Sequence, residues 1–178
     1  MIKPTFAVLL LAAVSLATSA SAQNRLVTET PAASGCGDPS IKFQVKTDKA
    51  QHPVQPEAGK ALVYFIQDDS EFTSSPKPTT RAGLDGKWVG ATHTNSYFFF
   101  AVDPGVHDLC ASWQSAGFVG HKTAAAHFTA EPGGVYFFAV KNVWLRNHTG
   151  GISLNPLDRD QGQSMAKSFL FSTAHPKQ

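Results

Sequence analysis

Ala61-Leu-Val-Tyr-Phe-Ile-Gln67, Leu84-Asp-Gly-Lys-Trp-Val-Gly90, Ser96-Tyr-Phe-Phe-Phe-Ala-Val102 and Asp103-Pro-Gly-Val-His-Asp-Leu109 decide the fold class of this chain. The first piece is apolar at almost every position, as in a strand buried on both faces. Asp85-Gly86 is a preferred pair for a type I′ hairpin, whose two central residues need positive φ. The implied register sets Leu84 opposite Lys87, Gly83 opposite Trp88 and Ala82 opposite Val89. Leu84, Ala82, Val89 and Ala91 then share one face and Trp88 the other, and a slip of one residue reverses them. Pro104-Gly105 suits the centre of a type II turn. That turn twists against a tight hairpin, so it reads as a corner where the chain crosses between sheets.

Further strands follow outward from this segment. Ile41–Thr47 alternates apolar and polar residues, Thr123–Thr129 is a weaker candidate, and Val135–Trp144 is long and apolar. Ile152–Leu154 is a short strand at most. Asp68–Thr80, with three acids and two prolines, reads as a mobile surface loop. Asp160 is placed to cap a last helix carrying Met165 and Phe169 four apart. Close strand spacing with Asp-Gly and Pro-Gly turns predicts a mostly β chain. The expected form is an antiparallel β-sandwich of about seven to nine strands with a short C-terminal helix.

The N-terminus reads as an export signal. Lys3 precedes an apolar run from Phe6 to Ala17, and Ala20 and Ala22 form Ala-x-Ala before Gln23. The run is short of the roughly 20 residues a membrane span needs. Residues 1–22 are therefore a signal peptide cleaved after Ala22. Residues 23–40 are a flexible leader, 41–172 a single domain and 173–178 a C-terminal tail. No stable membrane insertion is expected after cleavage, and the location is periplasmic or secreted. Of 15 basic residues, Lys3 is lost with the signal peptide, leaving 14 against 13 acids. No block of like charge occurs, which argues against nucleic acid as a partner. Cys36 and Cys110 are the only cysteines, and an exported chain favours their pairing as a disulfide.

The ordered set Ala61-Leu-Val-Tyr-Phe, Leu84-Asp-Gly-Lys-Trp-Val-Gly90, Ser96-Tyr-Phe-Phe-Phe and Pro104-Gly-Val-His107 resembles the bacterial domain-of-unknown-function family 2846. The last two pieces are also similar to PEGA-type surface modules. The likeness covers roughly a third of the mature chain, and more loosely extends to Trp144. The resemblance implies a small envelope-associated β-sandwich with no established activity and no catalytic residues to carry over. Lipid-anchored members carry a lipobox, which this chain lacks.

Catalytic and metal patterns are weak. His121 and His127, on one strand face, would stand roughly 20 Å apart. His107 and Asp108 are adjacent in a strand and point to opposite faces, so they form no dyad with each other. His107 reads as structural, with one ring nitrogen on a backbone group near the Pro104-Gly105 corner. Asp158-x-Asp160-x-Gly162 lacks the twelfth-position acid of an EF-hand and reads as a polar turn before a helix cap. There is no Gly-x-Ser-x-Gly elbow, His-Glu-x-x-His or phosphate loop. No catalytic residue, metal ligand or cofactor is assigned. The aromatic runs must place rings on both faces of their strands. The second face is either covered by the C-terminal helix and leader, the favoured reading, or exposed for binding. Trp88, Trp113, Tyr97 and Trp144 are the candidate binding surface; Asp85, Gly86, Pro104, Gly105 and His107 are structural turn residues. The functional expectation is an exported, non-catalytic module with a structural or protein-binding role in the bacterial envelope and an envelope protein or glycan as partner. A carbohydrate-binding module using exposed aromatics, or a small envelope hydrolase, is the alternative.

Overall fold

A computed structural model of the chain describes residues 35–114, 122–144 and 149–177. The signal segment, most of the leader and His121 lie outside the described residues. Among the described residues, ten strands and one helix follow in order: β1 (Phe43–Asp48), β2 (Ala61–Phe72), β3 (Thr79–Leu84), β4 (Lys87–His93), β5 (Ser96–Val102), β6 (Gly105–Trp113), β7 (Thr123–Ala130), β8 (Val135–Trp144), β9 (Gly150–Leu157), α1 (Arg159–Ser168) and β10 (Leu170–Pro176). The protein is thus mostly β. Six strands form a sheet in the order β1-β10-β5-β2-β8-β9 and four form a second in the order β4-β3-β6-β7. Pairing is not wholly antiparallel as expected: β10–β5 and β2–β8 run parallel. A parallel pair needs a long connection, and the whole four-stranded sheet lies in the chain between β2 and β8.

One apolar core joins the two sheets. Val63, Phe65, Phe98 and Phe138 of the larger sheet cluster with Ala82, Leu109, Ala111 and Phe128 of the smaller. Alternation puts Tyr97 and Phe99 on the opposite face of β5 from Phe98 and Phe100, and they join a second cluster with Ile66, Phe137 and Ala166. This is the double-sided aromatic pattern read from the sequence. Part of the second face is covered by α1, whose Ala166 and Gly162 are buried. A Cβ at Gly162 would strike the Phe137 ring, so glycine lets the helix lie directly on β8.

The hairpin follows its local code at the tip. Asp85 and Gly86 take φ of 49° and 81°, and Leu84–Lys87 and Gly83–Trp88 pair as expected. Beyond them a β-bulge shifts the register, so Ala82 pairs with Gly90 rather than Val89. The extra residue takes Val89 out of the expected apolar face, leaving it 37% exposed. The Pro104-Gly105 corner does carry the chain from the six-stranded to the four-stranded sheet. Gly105 takes φ of 143°, wide of the type II value of about 80°.

Four expectations are corrected. The stretch Asp68–Phe72 is not loop but the continuation of β2, and Asp69 is buried. Three hydrogen bonds, two from Gln67 and one from Asn142, make burial of that carboxylate tolerable. β9 is eight residues long, because β8 offers it a full antiparallel edge from Phe137 to Trp144. Asp158, not Asp160, caps α1: its carboxylate accepts from the Gln161 N–H at 2.9 Å. Residues 173–176 are not a tail but part of β10, paired antiparallel with β1, while Leu170 and Phe171 of the same strand pair with β5.

The segment from Gly35 to Ser40 is no loose leader either. It crosses the outer side of the four-stranded sheet and is bonded to it along its length. Cys36 is disulfide-bonded to Cys110, with Cα atoms 5.2 Å apart. The Trp88 indole N–H donates to the Asp38 carbonyl at 2.6 Å. Arg81 donates through Nη1 to the carbonyls of Pro39 and Ile41, and its guanidinium stacks on Trp88 at 4.2 Å. The Gln114 amide pairs with both backbone groups of Phe43, as a neighbouring strand would. Gly83 is required here, since a Cβ would come within 2.5 Å of the Gly35 carbonyl oxygen.

Candidate functional site

The four aromatic residues singled out from the sequence do not form one surface. Trp113 and Trp144 pack with Phe72 in a buried cluster, and the Trp113 indole N–H donates inward to Asn142 Oδ1 at 2.7 Å. Trp88 is half-buried beneath the N-terminal strap. Only Tyr97 reaches a cavity wall. The side on which a strand's partner layer lies decides which rings are covered, and periodicity alone does not reveal it.

Trp113 ends instead on a buried polar network between the sheets. Asn142 donates to Asp69 Oδ1 at 2.7 Å and to Thr80 Oγ1 at 3.1 Å. Gln67 donates to both Asp69 oxygens, at 3.0 and 2.9 Å, and to the Pro78 carbonyl. The Gln67 carbonyl accepts from Thr92 Oγ1 at 2.8 Å. Burial raises the Asp69 pKa, against the lowering effect of Asn142, Gln67 and the positive charges of Lys77 and His93. The groups around its oxygens are N–H donors, so the geometry itself suits a carboxylate. The network is closed to solvent, and its role is to fix how the sheets meet.

Two histidine–aspartate pairs stand elsewhere. His107 Nδ1 meets Asp85 Oδ2 at 2.7 Å and Nε2 meets the Asp103 carbonyl at 2.8 Å. Both partners are acceptors, so both ring nitrogens donate and the imidazolium is favoured. Burial of the ring lowers its pKa, but the bonds and charges of Asp85 and Asp103 outweigh this and the net shift is upward. The Asp85 carboxylate also accepts from the Asp108 N–H at 2.9 Å, pinning the hairpin tip to β6. A raised histidine pKa means the pair stabilises fully below about pH 6.5, and that its contribution is lost as pH rises through the folded value. The stability lost in His107→Gln, about 1 kcal/mol for a pair this exposed, should shrink between pH 6 and pH 9 in paired thermal melts. Asp108 turns the other way and meets His127 Nδ1 at 2.8 Å on the exposed side of β7. With both nitrogens of His107 engaged, neither is left to move a proton. Among the described residues, no three His, Cys, Asp or Glu side chains are placed to share a metal ion.

A further opening lies on the other side of the molecule. It is a cleft of about 310 Å³ on the outer face of the six-stranded sheet. Its floor holds Tyr64, Tyr97 and Phe137, with Tyr64 and Phe137 stacked at 4.7 Å. One wall is the face of α1 bearing Arg159, Gln163, Ala166 and Lys167, positions one and two turns apart on a helix. The other wall is the segment 51–55. Gln51 Nε2 donates to the Lys167 carbonyl at 3.3 Å, joining the walls. His52 stacks on Phe171 at 3.8 Å and meets Asp48 at 3.2 Å. Burial raises the Tyr64 pKa, with a smaller push from Tyr97, and burial likewise raises that of Tyr97. The phenols therefore stay neutral and keep their O–H donors at physiological pH. Sequence reasoning named Tyr97 here and missed the rest, because the two walls are more than a hundred positions apart in the chain.

No family model, curated protein or solved structure matches this chain. Among the described residues, no helix is long and apolar enough to cross a membrane. The disulfide is consistent with an oxidising compartment outside the cytoplasm.

Proposed function

We propose that this protein is an exported, non-catalytic β-sandwich module of the bacterial envelope that acts by binding a small ligand in the cleft beneath α1. Membership of the family that the central segment resembles is part of this proposal. The observation that carries it is the cleft itself: a concave site with an aromatic floor and a few polar groups at its rim is the usual form of a small-molecule site. Burial of Trp113 and Trp144 speaks against glycan binding on a row of exposed tryptophans. The doubly engaged His107 and the exposed setting of His127 speak against a hydrolase.

Export and binding are tested together by placing a photo-cross-linking residue at Gln163, beside the cleft, or at exposed Thr129 on β7. The full chain is expressed and irradiated in intact cells. The expected product begins at Gln23 and carries an adduct from position 163 that is absent from position 129. An uncleaved chain retained in the cytoplasm contradicts the location, and equal or no labelling at both positions contradicts the site.

A further inference from the structure

The charge of the cleft narrows its ligand, on the reading that the cleft is a binding site. Among the described residues its lining holds Arg159 and Lys167 and no carboxylate. The two cations stand eight residues apart, about 12 Å along the helix axis, so they flank the opening rather than share one point. Both are exposed, whereas the acids of the same helix end are directed elsewhere. Asp158 caps the helix through the Gln161 N–H, and Asp160 is not part of the lining. The Asp48 carboxylate is engaged by His52 on the far wall. Beneath the cations, the half-buried Tyr64 is the aromatic ring open to the cleft, and it is backed by buried Phe137, which stacks on it, and buried Tyr97, 6.1 Å away. With the partly exposed Val54 and Val135, the Tyr64 ring offers a compact apolar surface to a ligand body. The neutral phenols add donors rather than repelling charge.

From this we infer that the cleft binds a small organic anion: an apolar body set against Tyr64, Val54 and Val135, with its carboxylate or sulfonate held by Arg159 or Lys167. The volume is at the small end of the range for ligand pockets, which fits a ligand of two fused rings or a short acyl chain better than a polymer. Positive charge at the rim also raises the local concentration of anions and speeds their entry, an effect that falls with salt.

The probes are 2-naphthoate, its uncharged analogue 2-naphthalenemethanol, and decanoate, titrated into the full chain by calorimetry at low salt. Naphthoate should bind at least tenfold more tightly than the alcohol. The double variant Arg159→Gln, Lys167→Gln should remove that difference while leaving the alcohol's affinity unchanged. Gln163→Trp, which sets a large ring at the mouth, should weaken both naphthalene ligands. All three substitutions are at exposed helix positions, and unchanged melting temperatures would show that the fold is retained. Decanoate binding with the same dependence on the two cations would identify the flexible acyl anion as the better class member, and its absence the flat one. Equal affinity for naphthoate and the alcohol overturns the anion assignment but leaves the cleft as a site. Failure of every probe, or binding unaffected by Gln163→Trp, overturns the site as well.

Discussion

Cys36→Ala should lower stability by about 4 kcal/mol, the largest effect expected of any exchange outside the core. The Cys36–Cys110 bridge closes a loop spanning 74 positions, and chain entropy alone gives that figure for a loop of this length. The consequence is local as well as global. Without the bridge, the strap retains the Trp88–Asp38 and Arg81–Pro39 and Arg81–Ile41 hydrogen bonds but loses its covalent anchor. The melting temperature should fall by roughly 10 °C, and protease should remove residues N-terminal to β1 before it attacks the core. Reductant should do the same to the unaltered protein. A reduced protein that melts within a degree or two of the oxidised one would show that the strap contributes little.

The second large effect is at Asp69. Asp69→Ala leaves one N–H each of Gln67 and Asn142 without an acceptor in a closed interior, at about 1–3 kcal/mol per group, so a loss of about 3 kcal/mol is expected. Asp69→Asn is informative despite its matched size. Gln67 cannot turn its oxygen toward the new amide, because that oxygen accepts from Thr92. An N–H would then face an N–H, and a loss of about 2 kcal/mol should follow. The two variants should also differ from the parent in pH response. A raised carboxyl pKa in the fold means stability declines as pH climbs from about 3.9 through the folded value. Replacing Asp69 should flatten that part of the curve in urea titrations between pH 4 and pH 8. Equal slopes in parent and variants would place the titration elsewhere.

The same residue shows why the sequence was only partly legible. Asp85-Gly86 could be read because a type I′ turn is decided by two adjacent residues. The alternation in Ser96–Val102 could be read because both faces of β5 meet apolar layers. Asp68-Asp69-Ser70-Glu71 misleads because acids normally stay in water, and the groups that make Asp69 tolerable include Asn142, 73 positions away. Residues 173–176 resemble a tail because they are polar and short of apolar alternation; their order comes from pairing with β1. Gly35–Ser40 has no periodicity, and its path is set by bonds to Trp88, Arg81 and Cys110. Trp113 and Trp144 looked available for binding, since composition does not say which ring a neighbouring layer will cover. The cleft was legible only in Tyr97, because a helix and a distant Pro-containing segment have to be brought together to enclose it.

The central claim is that this molecule works as a binding module through the cleft under α1. Backbone amide shifts of the isotope-labelled protein, followed during titration with 2-naphthoate, test it most directly. The account predicts saturable shifts at His52, Tyr64, Val135, Gln163 and Ala166, with little change at Cys110 or His127 across the strapped sheet. Shifts confined to the strapped sheet, or none at millimolar ligand, would contradict it.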